Sequence, residues 1–209
     1  MTDALVIIFV KNIKLGTVKT RLAKTIGDYG AFEVYTELVK ITERATTNLF
    51  MDKRIYFSDA VVDSKWPNDF KTVQKGADLG ERMYNAFKSG FKSGYKKIVL
   101  IGSDLPNINS KHIENGITAL EENDVVFGPA EDGGYYLVGM SKLYQSIFQN
   151  KPWSQPNLLN LTLQELHKDN VKVTTLDTLN DIDTYDDLVA SDFYKNNQKL
   201  QEKIQQLND

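Results

Sequence analysis

The segment Lys96–Pro106, KKIVLIGSDLP, constrains most strongly what this chain can fold into. Ile98, Val99, Leu100 and Ile101 follow one another without a polar residue and lead into Gly102. A strand with one wet face would alternate. An unbroken apolar run reads instead as a strand buried on both faces, as in a parallel sheet covered by helices. The run ends abruptly at Ser103-Asp104, and Pro106 stops further pairing. Open α/β sheets bind ligands at the carboxyl ends of central strands. Asp104 is therefore a candidate ligand-binding residue, although its position alone fits a helix cap or turn equally well.

The rest of the chain repeats the alternation of strands and helices. Leu5–Val10 is a second unbroken apolar run and the first strand. A basic loop, Lys11–Asp28, follows it, and apolar residues from Ala31 to Ala45 at helical spacing predict a helix over Asp28–Asn48. Short strands are expected at Arg54–Ser58 and Phe70–Gln74. Asp78 and Glu81 form a capping-box pattern opening a helix that Gly94 stops. Beyond the central strand, Ser110 is expected to cap a helix, Asp124–Gly128 to form a strand, and Gly128–Met140 to hold a Gly-rich turn and the strand Tyr135–Val138. Helices are expected at Lys142–Gln149 and Gln155–Lys168, and a last strand at Val171–Leu176. Thr184 is placed to cap the final helix. This order predicts one layered α/β domain with a largely parallel sheet, residues 1–195. A polar helical tail, residues 196–209, carries Leu200, Ile204 and Leu207 on one stripe that lies either on the domain or on another subunit of a homo-oligomer.

Composition removes several functional classes. With 209 residues and a formal net charge of −3, the chain has room for a sizeable core but no basic footprint for nucleic acid. It has no cysteine, which excludes thiolate metal sites and a cysteine nucleophile and fits a cytoplasmic protein. The apolar run near the start, Ala4–Val10, is too short to span a membrane.

Three stretches carry residues suited to chemistry. The loop after the first strand holds Lys11, Lys14, Lys19, Arg21 and Lys24, with Gly16 among them. Such loops bind phosphate because backbone N–H groups and cations converge there, and Lys19 and Arg21 are the best placed. The stretch is neither a Walker A nor a GxGxxG fingerprint, and five cations on a loop can equally be a solvated surface. Asp104 offers a hard oxygen ligand for Mg²⁺ or Mn²⁺, which typically needs only one or two carboxylates beside substrate phosphates. Asp181 and Asp183, just before the Thr184 cap, are candidates for the second carboxylate, with a plain turn as the alternative for Asp181. In GPAEDGGYYLVG, Gly128–Gly139, Gly133 and Gly134 permit positive φ and close approach of a ligand, while Glu131 and Asp132 would stand at the cleft rim. An Asp-Gly turn would account for part of that pattern. His112 and His167 fall on expected helices away from these loops.

GTVKTRLA (16–23), ADLGERM (77–83), GSDLP (102–106), GPAEDGGYYLVG (128–139), PWS (152–154) and DIDTYDDL (181–188) occur in this order. Together they resemble a bacterial glycosyltransferase-like family of the nucleotide-diphospho-sugar transferase superfamily, which has the GT-A fold. The resemblance runs to about residue 195. The chain is more distantly similar to 2-phospholactate guanylyltransferase, the molybdenum-cofactor nucleotidyltransferases and the CMP-sugar synthetases. The resemblance implies a Rossmann-like sheet of about seven strands with one antiparallel member and a nucleotide above the first strands. It also implies metal ligation by Asp104 and Asp183, and phosphate contacts from Lys19 and Arg21. The family's loop is proline-rich before VKTRL, whereas here it reads NIKLG, Asn12–Gly16.

Three functions follow as alternatives. The first is a metal-dependent glycosyltransferase using a sugar nucleotide and a small-molecule acceptor, with Asp132 or Glu131 binding or deprotonating the acceptor. The second is a nucleotidyltransferase moving NMP from an NTP to a phosphorylated small molecule, to which the cation-dense loop is suited. The third is a non-catalytic nucleotide-binding protein. The expectation adopted is the first.

Overall fold

The computed structural model describes residues 2–208. Among these residues, seven strands form one sheet: β1 Ala4–Val10, β2 Asp52–Phe57, β3 Phe70–Val73, β4 Lys97–Ile101, β5 Val125–Pro129, β6 Tyr135–Met140 and β7 Val173–Thr175. Their order is β3-β2-β1-β4-β6-β5-β7, with β6 antiparallel to both neighbours and the other pairings parallel. The expected fold class and the single antiparallel member are both present.

Central strands are apolar on both faces because both faces are covered. Val6, Ile8 and Val10 of β1 pack into one core with the long helix α1, Thr20–Thr47, and with α3, Ser110–Ala119. Leu5, Ile7 and Phe9 of the same strand pack into the other core with α2, Leu79–Lys92, and α4, Leu158–Lys168. Along β1 the side chains alternate between two buried layers, so its sequence shows no polar alternation.

The chain leaves β1, builds β2 and β3 on one side, then returns to place β4 on the other side of β1. This reversal opens a crevice at the carboxyl ends of β1 and β4. Ile8 pairs with Ile101, so the basic loop and the Ser103-Asp104 turn emerge side by side.

Several boundaries differ from the sequence expectations. The first helix starts at Thr20, inside the stretch expected to be a loop, and Lys19 precedes it in a left-handed conformation. Gly27 (φ 73°, ψ 164°) breaks this helix into an initial turn and a long rod, because its backbone region is open essentially to glycine alone. Asn109, rather than Ser110, caps α3, and His112 completes its capping box. Lys142–Gln149 contains only a 3₁₀ turn at Gln145–Ile147. The C-terminal region forms α5, Tyr185–Ala190, α6, Asp192–Lys195, and α7, Gln198–Asn208. α7 packs along α1, burying Leu200 and Ile204, so most of the stripe lies on the domain. No helix among the described residues is long and apolar enough to cross a membrane.

Candidate active site

A cleft of about 330 Å³ lies at the carboxyl ends of the central strands. Asp104, Asp132 and Asp181 line it on the polar side, while Phe9, Met83 and Trp153 contribute an apolar wall. A larger, more open hollow of about 600 Å³ beside Thr25, Tyr194 and Gln201 is lined by none of these charged residues.

The charged centre is built by three segments. Lys19 turns inward from the loop after β1, with only 7% of its side chain exposed. Its Nζ donates to Asp104 Oδ2 at 3.1 Å and lies 3.8 Å from Asp181 Oδ2. Burial alone would lower the Lys19 pKa, but the neighbouring Asp104 and Asp181 charges outweigh it and hold the ammonium above its ordinary value. Asp181 is pushed up to about 6, chiefly by burial and then by Asp104, with Lys19 opposing. Two carboxylates thus share one ammonium.

The frame around this centre is fixed by hydrogen bonds. Asp104 follows Ser103, whose buried Oγ shares a 2.8 Å bond with the Tyr35 hydroxyl of α1. The Lys11 backbone N–H donates to the same hydroxyl at 3.0 Å, tying the ends of β1 and β4 to one helix. Asn12 Oδ1 accepts from the N–H groups of Asp59 and Ala60, and its Nδ2 donates to the Ala60 carbonyl. The Asp181–Asp183 loop is held by the Thr184 capping box of α5, where Asp187 accepts from the backbone N–H groups of Asp183 and Thr184.

The remaining candidates are distributed unevenly. Asp183 does not face the cleft with Asp104; its Oδ2 accepts from Arg21 Nη1 at 2.7 Å in a largely exposed pair. Both members of the acidic pair at the glycine turn are exposed; Asp132 lines the cleft and accepts from the Gly134 N–H at 2.8 Å, whereas Glu131 does not line it. Gly134 lines the cleft. The close approach that Gly133 permits is made by the protein itself: at φ 86°, a Cβ there would lie 1.8 Å from the Pro156 carbonyl oxygen. Gly16 sits on the exposed outer part of the loop, beside the Asp28 carboxylate.

Sequence reasoning gave no role to Trp153 or Ser154, although both line the cleft. Ser154 adopts a left-handed φ of 62°, uncommon for a residue other than glycine. The family resemblance points to Asp183, whereas the structure brings Asp181, two residues earlier, to Lys19. His112 lies outside the charged centre, edge-on to the Tyr136 ring at 6.4 Å.

Among the described residues, no three His, Cys, Asp or Glu side chains form a complete metal cage. The donor set nevertheless suits a hard divalent cation. Mg²⁺ commonly takes one or two carboxylates and completes its shell with water and substrate phosphate. Here two carboxylates converge on one cation.

Comparison with known proteins places this geometry in a family of folds. The chain is 27% identical to a structure from Desulfovibrio desulfuricans G20 named as a candidate nucleotide-diphospho-sugar transferase; the match covers 98% of this chain and 99% of that one, with a TM-score of 0.85. It shares its fold with the inositol-1-phosphate CTP transferase from T. maritima (15% identity, 100% and 97% covered, TM-score 0.54). It does so too with Rv0371C of Mycobacterium tuberculosis H37Rv, solved in complex with manganese (12% identity, 90% and 97% covered, TM-score 0.53). No curated protein matches the sequence. The family model described as "Uncharacterized protein conserved in bacteria (DUF2064)" matches residues 39–155, more than half of the sequence and including Asp104 and the glycine turn, and the chain belongs to that family.

Proposed function

We propose that the protein is a divalent-cation-dependent transferase acting on a nucleotide-activated substrate, and that it moves a glycosyl group from a sugar nucleotide to a small-molecule acceptor. The observation that carries this reading is the convergence of Lys19, Asp104 and Asp181 at the end of β4, beside a cleft that Asp132 also lines. The likeness to the Desulfovibrio protein and the manganese bound to Rv0371C support it.

In this reading Lys19 and Arg21 receive the diphosphate of the donor. Mg²⁺ or Mn²⁺, held at Asp104 and the Asp181–Asp183 loop, would neutralise charge developing on the departing nucleoside diphosphate. Asp132 takes the proton of the acceptor hydroxyl as its oxygen bonds to the anomeric carbon and the carbon–oxygen bond to the diphosphate breaks. The Gly134 N–H holds one Asp132 oxygen and leaves the other for the acceptor. Glu131, which does not line the cleft, is left without a role in this step.

A second reading, nucleotidyl transfer from an NTP, is favoured by one observation: a short segment carries two cations, Lys19 at the charged centre and Arg21, exposed, two residues on. A triphosphate brings more charge to such a pair than a sugar diphosphate does. Product analysis separates the two. Incubation with Mn²⁺, sugar nucleotides and hydroxyl acceptors is expected to release nucleoside diphosphate. Pyrophosphate release from an NTP in the presence of a phosphorylated acceptor would replace the first reading by the second. Turnover of neither donor class leaves a non-catalytic nucleotide binder.

A further inference from the structure

We propose that Lys19 is a built-in counter-cation: its ammonium holds the divalent-cation position between Asp104 and Asp181, so that metal binds weakly until a phosphate-bearing substrate draws Lys19 away. The inference rests on the proposed metal-dependent site and adds how that site is emptied and filled.

Three observations carry it. The Lys19 ammonium lies 3.1 Å from one carboxylate and 3.8 Å from the other, with a side chain only 7% exposed. A divalent cation binding the same two oxygens would occupy nearly the same volume, and the repulsion between the two cations at such separation is large in a half-buried setting. Lys19 and metal therefore exclude each other. The second observation is backbone strain, since Lys19 is held in a left-handed conformation (φ 48°, ψ 49°) with no side-chain cap on the helix it precedes. Non-glycine residues persist there only when surrounding contacts impose it; Lys19 is flanked by the buried Val18 and Leu22 and carries the ion pairs with Asp104 and Asp181. The third is mechanical. Val18, Leu22 and Ile26 around Lys19 are buried in the core, so the shift is one of its flexible four-carbon side chain, and the backbone and the Tyr35–Ser103 brace stay in place.

Mobility of Lys19 alone would not couple the ligands; charge does. Without phosphate, removing Lys19 from its carboxylates leaves a buried ammonium unpaired, which is costly. Phosphate gives it a new partner, so metal and phosphate favour each other's binding through this residue. The role assigned to Asp181 also differs from that of Asp183, which is engaged by Arg21 outside the cleft.

The test is Mn²⁺ binding without nucleotide, measured from the EPR signal of free Mn²⁺. Lys19→Met is expected to bind Mn²⁺ about tenfold or more tightly than the native chain, the effect of removing a unit charge a few ångströms away. Lys19→Arg, which keeps the charge, is expected to show no gain. Arg21→Met removes an exposed cation from the same loop and is expected to change affinity by less than about threefold, because solvent screens it. In the Lys19→Met background, Asp181→Asn is expected to abolish the gain and Asp183→Asn to leave most of it. A circular-dichroism melt checks folding, and Lys19→Gln replaces Lys19→Met if the latter does not fold. Equal Mn²⁺ affinity of native and Lys19→Met chains, with Asp104→Asn still abolishing binding in both, overturns the counter-cation and leaves the metal site standing. The same gain from Arg21→Met as from Lys19→Met also overturns it. No Mn²⁺ binding by any variant overturns the metal site itself.

Discussion

Tyr35 shows how a single side chain transmits the fold to the site. Its hydroxyl bonds both the Lys11 N–H and Ser103 Oγ, and burial pushes its pKa well above the phenol range despite the Ser103 bond. Tyr35→Phe keeps the ring and leaves those partners unsatisfied, so a loss of about 1–2 kcal/mol in urea unfolding is expected. An unchanged midpoint would mean that water or rearrangement restores both bonds. His112 offers a pH test. Burial, with a smaller push from Lys111, lowers its pKa against the pull of Asp177, and its Nδ1 accepts the Asn109 N–H in the α3 capping box. The fold therefore prefers the neutral ring. Stability contributed by His112 is fully present above its unfolded pKa of about 6.5 and is lost as pH falls through the depressed folded value. Native protein is expected to lose stability relative to His112→Asn between about pH 7.5 and 5; parallel curves for the two would contradict this.

At the scale of elements, the kink at Gly27 sets the short basic stretch of α1, residues 20–26, apart from the rod that follows. Gly27→Ala places a Cβ in a backbone region open essentially to glycine, so a loss of about 1–3 kcal/mol is expected in chemical denaturation. A neutral or stabilising result would show that α1 can straighten, and the separation of its first turn would then be untenable. The same segment marks where sequence reading stopped short. Leu22 and Ile26 lie four apart and are buried, which is a helical signal, but Gly16, Gly27 and five cations made the stretch resemble an open loop. Strands β1 and β4 were legible because burial on both faces leaves an unmistakable apolar run. The cap at Asp78 was legible too, since its side chain accepts the Glu81 N–H at 2.8 Å as the spacing required. Asp181 and Asp183 were not distinguishable by spacing. On a loop, a separation of two residues does not fix direction, and only the folded Thr184 cap turns one carboxylate to Lys19 and the other to Arg21.

Across the whole molecule, the order of the strands makes the site possible. The reversal between β1 and β4 sets a basic loop beside an acidic turn, and the chain beyond β7 runs past the end of β5 through the Ala130–Leu179 bridge to bring Asp181 from the far end of the sequence to the same rim. The meeting of these three segments followed from alternating strands and helices together with the family resemblance. The aromatic wall did not, because Phe9 and Trp153 are far apart in sequence and meet only after α2 and α4 close over the sheet. The central claim is that nucleotide and divalent cation bind at Asp104, and thermal unfolding of the native chain and of Asp104→Asn, with nucleotides and sugar nucleotides in the presence and absence of Mn²⁺, tests it most directly. The account predicts that at least one nucleotide stabilises the native chain in an Mn²⁺-dependent way, by about 2.7 kcal/mol at a hundredfold excess over Kd, and that Asp104→Asn folds but loses this response. No shift with any nucleotide, or an equal shift in Asp104→Asn, would contradict it.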